Sequence, residues 1–111
     1  MNLYNFETAF KLMQEGIPMS RNSWPKDTFV FAQHWTNVPA NIVEKMTSLP
    51  EKVKTVFMNR RQIQDDLEFN QELKYRKQFC KVDSNNFLEG YLPNGDDLFA
   101  EDWFIYTHQN D

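Results

Sequence analysis

The 111-residue sequence predicts an α+β fold, an N-terminal helix packed on an antiparallel sheet, with a helical or loop insertion over residues 36–74. Three features carry that expectation. Phe6, Ala9, Phe10 and Met13 recur at helical spacing near the start. Short runs rich in aromatic and β-branched residues, punctuated by Pro, Gly, Asn and Asp, flank both sides of the middle. The middle itself differs in composition, with helix-start patterns where the flanks show strand patterns.

In chain order, Asn5 suits the cap of a helix over residues 6–14, because its side-chain oxygen can accept from an orphan N–H of the first turn. The i, i+3, i+4, i+7 stripe gives that helix one apolar face, and Gly16 can supply a left-handed stop. Pro18 favours extended chain, residues 19–21 read as a short strand, Ser23-Trp24-Pro25-Lys26-Asp27 as a turn, and 28–33 as a second strand. Trp24 precedes a proline, so its backbone is biased to extended geometry. In the middle, Asn41 stands before Ile42, Val43 and Met46, and Ser48-x-x-Glu51 forms a capping box around Leu49, Val53, Val56 and Phe57. Residues 59–68 are polar and weakly periodic, and read as a mobile loop or frayed helix. A strand over 75–82, a turn over 83–86 and a hairpin partner over 87–92 follow. Pro93 suits the first turn of a short helix, where its missing N–H would be unpaired anyway, and Asp96 and Asp97 put negative charge at that end. The last strand is placed at 103–107.

A chain of this length supports one domain, and at 41% hydrophobic with 15% aromatic residues it can build a core. Ten Phe, three Trp and four Tyr exceed what a small monomer easily hides, which points to a partner subunit or a ligand. A net charge of −4 and a pI near 5.1 disfavour a long nucleic acid partner, whose binding is dominated by phosphate neutralisation. Local cations such as Arg21, Lys26, Arg60, Arg61, Arg76 and Lys77 still allow a small anionic ligand. A single cysteine, Cys80, excludes an intrachain disulfide and Cys-rich metal frameworks, and an intracellular, cytoplasmic protein is expected. Neither export nor membrane insertion is expected, since the start lacks a basic and apolar leader pattern and no apolar run approaches roughly 20 residues. His34 and His108 are isolated, no nucleophile sits in an elbow, and three glycines form no phosphate loop, so no metal, cofactor or catalytic residue is predicted. Asp97 and Glu101, four apart, imitate a carboxylate pair, but a solvated helix face accounts for them better.

Several residues taken in order resemble a known family. Phe6-Glu7-x-Ala9-(x)5-Glu15-Gly16, Arg21-x-x-Trp24, Gln78 and Gly90-Tyr91-x-Pro93-x-x-x-Asp97-x-x-Ala100-Glu101-Asp102-Trp103 are similar to the small phage and prophage proteins called Thoeris anti-defence type two. Met46-Thr47-Ser48-Leu49-Pro50-x-x-Val53-Lys54 looks like a longer branch with a middle insertion. The chain departs from the family at Tyr91, where Trp is usual, and at Asn94, where a small hydroxyl residue is usual. The resemblance implies a sheet of about five strands and a non-enzymatic sponge that sequesters a cyclic ADP-ribose-type nucleotide, with other cyclic oligonucleotides as alternatives. It further implies a homotetramer built from dimers.

Under that resemblance the candidate ligand-binding residues are Arg21, Trp24, Gln78, Tyr91, Asn94 and Asp97, and each has an architectural alternative. Trp24 offers a stacking face to a base or plugs the core; Trp103, within an apolar run, is core. Arg21 anchors a pyrophosphate or bridges a carboxylate such as Asp102, the second being slightly favoured. Tyr91, Asn94 and Asp97 hold ribose hydroxyls, or Asn94 and Asp97 only cap the short helix. Gln78 hydrogen-bonds a purine edge or its own sheet. Two rival classes remain: a phosphodiesterase or glycohydrolase using Asp97 and Glu101, and an oligomeric adaptor that binds a host protein through the basic and apolar middle.

Overall fold

The computed structural model describes residues 1–64 and 73–107, and it is α+β. In chain order the elements are α1 (Phe6–Gln14), β1 (Met19–Arg21), β2 (Phe29–Gln33), β3 (Thr36–Val38), α2 (Ala40–Val43), α3 (Glu51–Gln64), β4 (Leu73–Tyr75), β5 (Gln78–Val82), β6 (Leu88–Gly90), α4 (Gly95–Phe99) and β7 (Trp103–Ile105). The chain divides into two compact units, Met1–His34 with Lys77–Asp111, and Trp35–Arg76. No helix among the described residues is long and apolar enough to cross a membrane.

The first unit is the expected helix on a five-stranded antiparallel sheet, ordered β6-β5-β2-β1-β7. Asn5 caps α1 by accepting from the Thr8 N–H at 2.9 Å. At the other end Gly16 has φ +94°, its N–H bonds Met13 O, and the Ile17 N–H bonds Leu12 O. Those two bonds make a Schellman stop, which glycine alone enters without a Cβ penalty. The helix lays Ala9 and Met13 against Met19, Val30, Tyr91 and Trp103, all buried, with Phe6, Leu12, Ile17 and Phe79 packed around them. At roughly 1.5–3 kcal/mol for each large apolar side chain fully buried, this cluster is the main source of the unit's stability.

Two turns set the hairpins. Between β1 and β2, Asp27 sits at φ +61° and accepts from the Tyr106 hydroxyl at 2.8 Å. Between β5 and β6, Asp83 Oδ1 accepts from the Asn85 and Phe87 N–H groups, while Asn86 takes φ +66°, a region that asparagine tolerates better than most residues.

The second unit departs from expectation in three places. The predicted strand over 75–82 is two strands: Leu73–Tyr75 pairs with Thr36–Val38 in a separate two-stranded sheet, and only Gln78–Val82 pairs with β2. The pattern reads through Arg76 and Lys77 without a break, because both segments are extended and only the pairing partner changes. The helix starts are also shifted. The Ile42 and Val43 N–H groups bond Pro39 O, and those of Val53 and Lys54 bond Pro50 O, so the prolines, and not Asn41 and Ser48, stand at the starts. Proline fits there because its own N–H is not needed. Finally, the predicted stripe on α3 is not buried as a stripe: Val53 and Val56 are exposed, while Lys54 is buried with its ammonium on Glu44 O and Glu51 Oε1. Residues 59–64 belong to α3; residues 65–68 of the expected loop, and His108, lie outside the described residues.

Candidate functional site

Arg21 ends β1 opposite Trp103 of β7, and that register joins the first strand of the sheet to the last. The guanidinium Nε donates to Asp102 Oδ1 at 2.9 Å and Nη1 to Asp97 Oδ1 at 2.7 Å, with its side chain 12% exposed and that of Asp97 5%. Asp97 Oδ2 accepts from the Tyr91 hydroxyl at 2.7 Å and from the Asn94 N–H at 3.2 Å, while its own N–H donates to Asn94 Oδ1 at 2.8 Å. The indole N–H of Trp103 donates to Asp97 O at 3.0 Å. Asp97 is thus the centre of a closed polar network on top of the apolar core.

The electrostatics follow from these contacts. Burial opposes ionisation of Asp97, but hydrogen bonds from Tyr91, Arg21 and the Asn94 amide, with the Arg21 charge, outweigh it and hold the carboxyl below its ordinary value. Burial, then the hydrogen bond to Asp97 and its negative charge, push the Tyr91 phenol far up, so it stays a neutral donor. Burial also disfavours the Arg21 cation, yet its bonds to Asp102 and Asp97 raise it overall. A carboxylate held ionised and fully engaged is not poised to donate a proton.

Beside this network stands an aromatic corner. The Trp24 ring meets Trp103 edge-on at 5.2 Å and Tyr91 edge-on at 5.8 Å between centroids. Lys81 Nζ lies 4.0 Å from the Trp24 centroid and 5.9 Å from that of Tyr91. Lys81 makes no ion pair among the described residues. Its pairing with Val30 puts it on the sheet face that α1 covers. A cleft of about 310 Å³ is lined by Ser20, Arg21, Trp24, Lys26, Phe104 and Tyr106 among others, close to the lower size of small-molecule sites. A second, apolar cleft of about 250 Å³ lies between Phe6, Phe10, Phe79, Tyr91, Leu92 and Pro93.

The structure therefore joins five of the six sequence-predicted residues: Arg21, Trp24, Tyr91, Asn94 and Asp97. Gln78 is not among them; it is exposed, its amide donates to Gln33 Oε1 at 2.9 Å, and it points to the sheet face opposite Phe79. Asn94 and Asp97 form a capping box at the start of α4, and Pro93 precedes that cap instead of lying in the helical turn. Glu101 lies beyond the end of α4 at Phe99 and is exposed, so it forms no helix-face pair with the buried Asp97. Lys81 is the residue that sequence reasoning missed; its signal was alternation, a lysine two positions from Phe79 on the inward phase of one strand. Asn94→Ala is expected to lower stability by about 1 kcal/mol through the lost cap, while Asn94→Ser, which keeps a capping oxygen, stays close to the parent in urea denaturation.

Among the described residues no group of three His, Cys, Asp or Glu side chains is placed to hold a metal. A family model described as the Thoeris anti-defense 2-like domain matches residues 4–106. Comparison with curated proteins gave no match.

Proposed function

The chain belongs to the Thoeris anti-defense 2-like family, whose name indicates a Thoeris anti-defence role, and we propose that it fills this role as a sponge. It binds a cyclic ADP-ribose-type nucleotide in the host cytoplasm, holds it intact and so silences the immune pathway that reads it. It acts as a homo-oligomer, a tetramer in the form the resemblance implies.

The observation that carries the reading is the unpaired Lys81 ammonium over the Trp24 ring, beside Tyr91. An aromatic platform with a cation at its face suits a ligand that has both a base and a pyrophosphate. Arg21 is the less suitable phosphate ligand of the two cations, because Asp97 and Asp102 already neutralise it. In this reading Arg21 positions the Tyr91 and Asp97 framework, and Lys81 meets the phosphate. A sponge works by stoichiometry, so its dissociation constant lies below the signal concentration; a nanomolar value is about −12 kcal/mol, within reach of stacking plus charged hydrogen bonds in a preformed site.

Incubation with the cyclic ADP-ribose signal should deplete free ligand in proportion to protein sites, and heat denaturation should return it with unchanged mass and retention time. Lys81→Gln should weaken binding about tenfold, the worth of one charge-assisted hydrogen bond, and flatten its salt dependence. Turnover beyond one ligand per site, or a linear product, gives the function to a hydrolase. No depletion at all gives it to an adaptor.

A further inference from the structure

β6 is one open edge of the five-stranded sheet. In its ladder with β5, the Asp83 N–H bonds Phe87 O and the Tyr91 N–H bonds Phe79 O, which marks positions 87, 89 and 91 as facing inward. Antiparallel alternation then turns the N–H and C=O of Leu88 and Gly90, and by continuation Leu92, away from the sheet. At the opposite edge the equivalent groups of Trp103 are already taken, since Tyr4 donates to Trp103 O at 2.7 Å and accepts from its N–H at 3.1 Å.

Exposed edges are usually blunted by short length, charge, proline, a bulge or a cover; β6 is three residues long and carries one charge, Glu89, but no lysine or proline within its span. Instead Phe87 is 72%, Leu88 57% and Leu92 91% exposed. Gly90 leaves open space where a Cβ would stand.

For a second copy, the charge pattern selects a register. A second copy running antiparallel and centred on Glu89 would set Glu89 against itself, and like charges directly opposite are destabilising. Centring on Gly90 sets Leu88 against Leu92, Glu89 against Tyr91 and glycine against glycine, with the outward backbone groups of 88, 90 and 92 in the hydrogen-bonding phase. We infer that a second copy of this chain adds to β6 with Gly90 on the two-fold axis, joining two five-stranded sheets into one of ten. This rests on the self-association in the reading above and is independent of the nucleotide.

The test is a disulfide at the axis. Cys80 is the cross-strand neighbour of Gly90, so both variants carry Cys80→Ser to prevent an intrachain bond. Facing Cα atoms in a hydrogen-bonded pair are about 5.5 Å apart, within disulfide range, whereas the two Leu88 positions would be about 13 Å apart, four residues along the strand. Under mild oxidation Gly90→Cys should give at least tenfold more cross-linked dimer than Leu88→Cys on a non-reducing gel. Cross-linking of Leu88→Cys in preference to Gly90→Cys overturns the register. No cross-link in either variant, while light scattering shows more than one 13.3 kDa chain, overturns this edge but leaves self-association standing. A scattering mass of one chain at micromolar concentration overturns both.

Discussion

Arg21→Ala should lower the unfolding free energy by about 3–5 kcal/mol, the range for removing one partner of a buried ion pair and leaving the other uncompensated. The Arg21 and Asp97 side chains are almost covered, Asp102 is 28% exposed, and two carboxylates lose their cation at once. Urea denaturation at fixed protein concentration measures the loss. The pH dependence supplies its signature. Because the folded Asp97 carboxyl is held below its ordinary value, the stability it contributes is complete above the usual carboxylate range and is lost as pH falls through the lowered folded value. In Arg21→Ala burial acts with less opposition, so the acid loss should begin at higher pH. A variant with parental stability and an unchanged acid limb would show that the network does not hold the fold, and would return Arg21 to the ligand.

Trp24→Ala should weaken binding of the cyclic nucleotide about 100-fold, since a stacked base is worth roughly 1–3 kcal/mol and Lys81 loses the face that orients it. Trp24→Phe should retain part of the affinity, because a smaller ring still offers a face. The same ring also packs edge-on against Trp103 and Tyr91, so the alanine variant should lose stability as well, about 1–3 kcal/mol for two aromatic pairs. Calorimetric titration beside a urea curve separates the two effects. Full affinity in Trp24→Phe together with an unfolded Trp24→Ala would make Trp24 a core plug and move the site elsewhere.

The cap at Asn5, the stop at Gly16 and the turn at 83–86 are local: each depends on a few adjacent residues whose side chains or φ preferences satisfy backbone groups nearby. The α1 stripe held for the same reason, since its period alone defines a face. On α3 the period misled, because Lys54 found acceptors in Glu44 O and Glu51 while Val53 and Val56 stayed exposed. A buried lysine with partners is invisible to a hydrophobic pattern.

For the site, it was the resemblance that nominated Arg21, Trp24, Tyr91, Asn94 and Asp97 as ligand-binding, and that resemblance agrees with the family match. Their division of labour was decided elsewhere. Arg21 meets Asp97 across 76 residues of sequence and Asp102 across 81, and only the β1–β7 pairing brings them together. Whether a charge is spent or available depends on its partners in space, and no local pattern encodes them. By itself the sequence determined the cap and stop of α1, the turn at 83–86 and the alternation of the sheet strands. The tertiary structure decided that Arg21 is neutralised, that Gln78 belongs to the sheet, and that Lys81, unremarkable in its strand, stands over the indole as the cation left unpaired among the described residues of that corner.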